Sequence, residues 1–240
     1  MAPGEYQQEI TGLQIETGDS LSISAEVNCS GSSKKDAVIF SNPAWLFAEP
    51  AYRLYFGDLH VHSELSNCSA WRCLPPEWCY QYAQQISRLD FLAVTDHLRG
   101  IKAQAERWKQ LQECVRQYDQ PGEFVPFLAF ESSHALGFGG DNNVYFLDSD
   151  ADHFWQERAD LWHYAPQLPL TELWEQLSAA GKSFFTVPHH TGRMHKYRHW
   201  AEDYYDPRYE TLFEIYSSWG SSESRFSRLP ISHGNNDAAA

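Results

Sequence analysis

The stretch YFGDLHVHS, at residues 55–63, decides how the chain is interpreted, because an apolar run ends there in His60 and His62. In a β-strand, residues i and i+2 point to the same side, so the two imidazoles can face one cation as the strand ends. An isolated pair of this kind is a weak signal, and two solvated histidines are the alternative. The pair therefore predicts a metal site only if ligand-type residues also follow other strands.

After residue 54, apolar runs of strand length alternate with helical stretches. Strands are predicted at residues 89–95, 124–130, 143–147, 183–187 and 211–216. Helices are predicted at residues 76–88, 101–118 and 171–180. Such alternation is typical of repeated βα units and a parallel sheet. Residues 51–240 are therefore predicted to form an α/β barrel that is incomplete at its C-terminus.

The first part of the chain, residues 1–50, has a different pattern. Residues 10–15 and 21–27 alternate apolar and polar side chains, and residues 37–40 form a third short apolar run. Period-two alternation is typical of half-buried strands. We expect a small β-rich segment, a partial β domain, ahead of the barrel.

The composition bounds the function. Hydrophobic residues make up 42% and charged residues 21%, which indicates a globular chain, and no apolar stretch is long enough to span a bilayer. A net charge of −14 argues against a general nucleic-acid-binding surface, although bound cations would still allow an anionic substrate. Five cysteines and the absence of a signal sequence favour the cytoplasm. The oligomeric state is not predicted.

Ligand-type residues do follow the other predicted strands. They are His60 and His62, then Asp96 and His97, then Glu131, then His189 and His190. The C-terminal ends of parallel barrel strands share one face, so we expect these side chains to converge. Imidazole and carboxylate ligands suit zinc, manganese or iron, and Glu131 can bridge two cations. The pattern therefore predicts a multinuclear metal site.

Each of these residues also has a simpler interpretation. Glu131 could cap the segment that follows it, and Asp96 could be an N-cap beside a neutral, packed His97. The pair at residues 189–190 could be solvated loop histidines. The metal site is favoured because histidines cluster where several strands end.

The same residues carry a family resemblance. The motifs GDLHVHS, VTDH, FE and PHH, at residues 57–63, 94–97, 130–131 and 188–190, resemble successive motifs of the PHP (polymerase and histidinol phosphatase) superfamily. Its members are metal-dependent phosphoesterases on a distorted seven-stranded TIM-like barrel. Residues 142–146 and 214–223 further resemble an uncharacterised branch in which a β domain precedes the barrel. The resemblance extends from about residue 41 to residue 223.

The resemblance implies two or three divalent transition metal ions. It implies that His60, His62 and Glu131 hold one ion. A second ion, bridged by Glu131, would be held by His190 or His189, and His97 would serve a third. His190 is preferred, because the following Thr191-Gly192 is similar to the family's His-Pro-Gly.

Candidate catalytic residues are Asp96, within its motif, and Arg193. Arg193 comes just after the histidine pair, together with Lys196 and Arg198, and these cations could contact a phosphate. Ordinary surface bases are the alternative interpretation of all three.

Three departures from the family pattern bear on this expectation. Many members have an Asp or His where this chain has Asn67-Cys68, and the related branch has a His where this chain has Asp141. The family's closing Asp-x-His has no convincing match, since Asp237 lacks the partner histidine. We therefore expect a barrel that is truncated at its C-terminus.

The expected function is that of a metal-dependent phosphoesterase acting on a small-molecule phosphoester. An amidohydrolase-type barrel, which also begins with H-x-H, is an alternative, although it often uses a carboxylated lysine where this chain has Glu131. A third possibility is an inactive fragment, pseudoenzyme or binding module. Neither a membrane nor a nucleic acid is expected as a partner.

Overall fold

The structure is a computed structural model. It describes residues 20–21, 24–27, 37–40, 44–45, 52–66, 74–97, 101–134, 139–151, 169–189, 191, 204–217 and 220–221. The chain divides into two compact units, Met1–Leu54 and Tyr55–Ala240.

The described part of the first unit consists of antiparallel strand pairs. β1 (Ser20–Leu21) pairs with β4 (Ala44–Trp45), and β2 (Ser24–Val27) pairs with β3 (Ala37–Phe40). The strand predicted at residues 37–40 is confirmed, and β2 confirms the second half of the strand predicted at residues 21–27. The strand predicted at residues 10–15 lies outside the described residues.

The second unit is built on a five-stranded mixed sheet in the order β5-β6-β7-β8-β9. Its strands are β5 (Gly57–Val61), β6 (Phe91–Val94), β7 (Val125–Ser133), β8 (Asp141–Phe146) and β9 (Phe184–Pro188). β5, β6 and β7 are parallel neighbours, whereas β8 is antiparallel to both β7 and β9. β9 therefore runs in the same direction as β7, so β5, β6, β7 and β9 all have their C-terminal ends at the same end of the sheet.

The predicted seven-stranded TIM-like barrel is wrong. In the described part of the chain the sheet is open, with β5 and β9 as its edges. The physical reason lies between β7 and β8, where residues 134–140 are too few for the crossover that a parallel neighbour requires. β8 therefore returns antiparallel to β7, and a barrel of uniformly parallel strands cannot form.

Three α-helices accompany the sheet in the described residues: α1 (Pro76–Gln81), α2 (Ile101–Tyr118) and α3 (Leu170–Ala179). α1 begins at Pro76, whose fixed φ suits a first helical turn, and continues as a π-helical segment, Tyr82–Ser87. No helix among the described residues is both long and apolar enough to cross a membrane.

Helix α3 shows how the sequence pattern becomes packing. Leu170, Leu173, Trp174 and Leu177 recur at helical spacing, and all four are buried. Gly181, which follows the C-cap residue Ala180, has a φ of 67°. Its N–H donates to the carbonyl of residue 178, and the next N–H donates to that of residue 177, which is the Schellman pattern.

The sheet buries side chains on both of its faces. Along β6, Leu92 and Val94 pack into the larger apolar cluster, and Ala93 packs into a smaller one on the other face. The larger cluster also contains buried side chains of all three helices, such as Trp108 and Leu173. Packing on both faces holds the strands in place, and with them the end of the sheet where their C-termini lie.

The end of the described chain differs from the prediction. The strand predicted at residues 211–216 is wrong for residues 211–215, which are irregular. Among the residues described after it is a short antiparallel pair, β10 (Tyr216–Ser217) and β11 (Gly220–Ser221). Glu214 lies in the irregular segment, directly before β10.

Candidate metal centre

Ligand-type side chains lie in or directly after four strands, at the end of the sheet where these strands have their C-termini. His60 lies near the end of β5, His62 follows it, His97 follows β6, Glu131 lies in β7, and His189 follows β9. Because these strands run in the same direction, their C-terminal ends meet although the sheet is open. β8 runs the other way, and its start brings Asn143 opposite Glu131.

Strand β5 is irregular where it enters the centre. It approaches β6 so closely that a Cβ on Gly57 would lie 2.2 Å from Phe91 Cδ2, which requires a glycine there. The pairing register with β6 then shifts between Asp58 and Val61. Such bulges re-aim side chains. The simple i, i+2 geometry is thus modified, and the Nε2 atoms of residues 60 and 62 lie 3.2 Å apart.

The carboxylate of Glu131 is the centre of the cluster. Its Oε2 lies 3.1 Å from Nε2 of both His62 and His97 and 3.5 Å from Nε2 of His60. Its Oε1 lies 3.9 Å from Nε2 of His189. The side chain is only 1% exposed, and although these imidazole nitrogens lie near, no described residue donates a hydrogen bond of acceptable geometry to either oxygen. Buried carboxylate oxygens normally have such partners, so a further ligand is expected here.

The geometry around Glu131 fits a metal ion. His60, His62 and Glu131 form a group that could hold one, with donor-atom separations of 3.1 to 3.5 Å. Two ligands of a tetrahedral zinc ion, each about 2.0 to 2.2 Å from it, lie about 3.4 Å apart. A cation would bind the oxygens of Glu131, and the distances between the donor atoms match those between ligands of one ion.

A second carboxylate, Glu214, contacts two of the same histidines from the other side. Its Oε2 lies 2.7 Å from Nδ1 of His60, and its Oε1 lies 2.6 Å from Nδ1 of His189. These three residues form another group of potential ligands. The sequence alone predicts no role for Glu214. The signal that could have pointed to it is its position in a stretch, residues 214–223, that carries the family resemblance.

The charges of the cluster perturb one another. Burial would lower the pKa of His60, but Glu131 and Glu214 outweigh it and raise that pKa to about 10. Burial would likewise raise the pKa of Glu214, but His189 and His60 lower it to about 2. Despite its own burial, Glu131 has a pKa well below the usual range because of His60 and His62. Burial lowers the pKa of His189 against the effect of Glu214. Both carboxylates are therefore ionised at neutral pH.

Asp96, predicted as catalytic, lies behind the cluster. It is fully buried and accepts hydrogen bonds from the backbone N–H and the hydroxyl of Ser63. Its Oδ1 is 3.9 Å from Nδ1 of His62, beyond hydrogen-bond distance. Burial raises the pKa of Asp96 despite the bonds from Ser63. The structure thus places the carboxylate of Asp96 against the backbone that follows β5, while the backbone carbonyl of Asp96 accepts the N–H of Glu131 at 3.3 Å.

Several predicted residues lie outside the described part of the chain. These are His190, Arg193, Lys196, Arg198, Asn67, Cys68 and Asp237. Asp141 is buried at the start of β8, where its carbonyl accepts the N–H of His189. The structure therefore brings together five of the six predicted metal ligands, and the sixth, the preferred His190, lies outside the described residues.

Comparisons with known proteins add little to this geometry. The chain is similar to an uncharacterized protein of Chlamydia pneumoniae, with 24% identity over 188 residues. That match covers 78% of this chain and 28% of the relative, so the chain spans less than a third of the relative's length. No family model matches the chain. No solved structure matches it significantly.

Proposed function

We propose that this chain is a metal-dependent hydrolase, and specifically a phosphoesterase. The observation that carries the proposal is the environment of Glu131, a buried carboxylate whose oxygens lack hydrogen-bond partners among the described residues. Four imidazole nitrogens lie 3.1 to 3.9 Å from it. All of these residues belong to the motifs that resemble the PHP superfamily phosphoesterases.

The donor set favours a transition metal ion. Imidazole with carboxylate suits Zn²⁺, Mn²⁺ or Fe²⁺, and His60, His62 and Glu131 would hold the first ion. The other oxygen of Glu131 faces His189 and could bridge to a second ion. A cation bound there supplies Lewis acidity, which polarises a phosphoryl oxygen and lowers the pKa of a water molecule.

The protein residues supply position and a poorly solvated environment. The hydroxyl of Tyr145 donates to the carbonyl of Leu59 at 2.7 Å, which fixes the backbone directly before His60. His97 stacks on His62 with ring centroids 5.0 Å apart, so the two imidazoles restrain each other. Burial of Glu131 keeps its negative charge away from water, where it attracts a cation most strongly.

The test is hydrolysis by chelator-treated protein reconstituted with Zn²⁺, Mn²⁺ or Fe²⁺. The substrates are an aryl phosphate monoester, an aryl phosphate diester and an aryl amide. We expect a phosphate ester to be hydrolysed only with metal. Glu131→Gln should be inactive, whereas Glu113→Gln, the same change at an exposed position of α2, should keep the activity.

Two outcomes would overturn the phosphoesterase proposal. Hydrolysis of the amide but not of the phosphate esters would indicate an amidohydrolase-type enzyme. Metal binding without turnover of any of the three substrates would indicate a metal-binding module.

A further inference from the structure

Glu131 and Glu214 both contact His60, but the distances between atoms at the two carboxylates indicate different interactions. Around Glu131 the separations between potential ligand atoms are 3.1 to 3.5 Å, close to the spacing of about 3.4 Å between ligands of one tetrahedral ion. At Glu214 the separations are 2.6 and 2.7 Å. These are too short for two ligands of one tetrahedral ion, and they are ordinary lengths for charge-assisted hydrogen bonds.

The nitrogen that makes each contact also differs. Glu214 contacts Nδ1 of His60 and of His189, whereas Glu131 faces the Nε2 atoms of both rings. An imidazole that donates its Nδ1–H to a carboxylate presents the Nε2 lone pair on its opposite side. Partners of this kind orient metal-binding histidines and raise their basicity.

We propose that Glu214 is a positioning residue that accepts the Nδ1–H of His60 and of His189 at once, and so aims both Nε2 atoms at the metal site around Glu131 without itself binding a metal ion. The inference rests on the metal site of the proposed function. It assigns the second group of potential ligands, His60, His189 and Glu214, to hydrogen bonding and not to a second metal ion.

The surroundings hold Glu214 in place for this role. The hydroxyl of Thr191 donates to the backbone carbonyl of Glu214 at 3.1 Å. The side chain of Glu214 is 17% exposed, and each of its oxygens already has one imidazole partner. The side-chain nitrogen of Asn143 lies 2.9 Å from Nδ1 of His60, while its side-chain oxygen has no hydrogen-bond partner among the described residues. With Nδ1 protonated, the proposal requires this amide to turn, so that its oxygen accepts beside Glu214. A carboxylate fixed in this way links β5 to the segment after β9.

The test compares metal binding by wild type, Glu214→Gln and Glu214→Asp, with Glu113→Gln as a control for loss of one carboxylate charge. Zinc affinity is measured by chelator competition and zinc stoichiometry by elemental analysis. We expect Glu214→Gln to lower the affinity by about 10 to 100-fold, with the same stoichiometry as wild type at saturating zinc. Glu214→Asp keeps the charge and should lose less. Glu113→Gln should match wild type.

A second measurement needs no variant. In zinc-loaded wild type, the nitrogen-15 spectrum of the histidine rings should show His60 and His189 protonated at Nδ1. Protonation of either ring at Nε2 would overturn the proposal. So would an unchanged zinc affinity in Glu214→Gln, or a loss of stoichiometry, which would make Glu214 a ligand. Wild type that takes up no metal would instead overturn the proposed function, and the proposal with it.

Discussion

Glu131 and Glu214 both gather imidazoles, but they do so from opposite sides of the rings. Glu131 lies in β7, between two paired strands, and its buried oxygens have no hydrogen-bond partner among the described residues. Glu214 lies in an irregular segment, and each of its oxygens accepts a hydrogen bond from Nδ1 of a histidine. This difference indicates that Glu131, whose oxygens lack hydrogen-bond partners among the described residues, is the candidate metal ligand. Glu214, whose oxygens accept hydrogen bonds, instead orients the histidine ligands.

His60→Ala should have the largest effect, because His60 belongs to both groups of potential ligands that the described residues form. The change removes a ligand and leaves Glu214 with one imidazole. We expect a loss of metal affinity larger than the about 100-fold upper range for supporting residues. Elemental analysis after dialysis measures it. A variant that keeps as much metal as wild type would show that His60, His62 and Glu131 do not form the metal site.

His189→Ala should have a smaller effect. Nε2 of His189 is 3.9 Å from Glu131, the longest of the four distances, while its Nδ1 bonds to Glu214. We expect about 10 to 100-fold weaker metal binding, measured by chelator competition. Combining His189→Ala with Glu214→Gln should give less than the sum of the two effects, because both changes break one contact. Full additivity would mean that the two residues act independently.

Asp96→Asn should have the smallest effect on the metal and a measurable one on stability. The new amide places an N–H₂ donor where Asp96 now accepts from the N–H or the hydroxyl of Ser63. A buried donor left unsatisfied costs about 1 to 3 kcal/mol, which urea denaturation would detect. Asp119→Asn, at an exposed position after α2, is the control. A metal affinity reduced more than that of His189→Ala would give Asp96 a direct role in the centre.

The residues around Glu131 could be predicted because they follow apolar runs. A polar side chain such as His97 or His189 directly after a buried strand is visible in the sequence. The role of Glu214 could not be predicted, because its contact with His60 spans 154 residues. Within a run predicted as a strand, it looked like any polar side chain of an alternating pattern.

The direction of β8 was the main error in the predicted fold. Its apolar pattern is the same whether the strand is parallel or antiparallel, so the pattern alone could not reveal the open sheet. The length of the connection at residues 134–140 was the usable signal. The predicted location of the site was unaffected by this error. β9 runs in the direction of β7, so His189 lies at the same end of the sheet as Glu131.

The position of Glu214 in the chain also sets an order of folding. Direct closure onto His60 joins residues 154 apart, for which the logarithmic loop entropy corresponds to about 4.5 kcal/mol. Closure onto His189 joins residues only 25 apart, corresponding to about 2.8 kcal/mol. We therefore expect Glu214 to reach His189 first, once β9 has joined the sheet, and then His60. During synthesis, the centre would be among the last parts of this unit to become native.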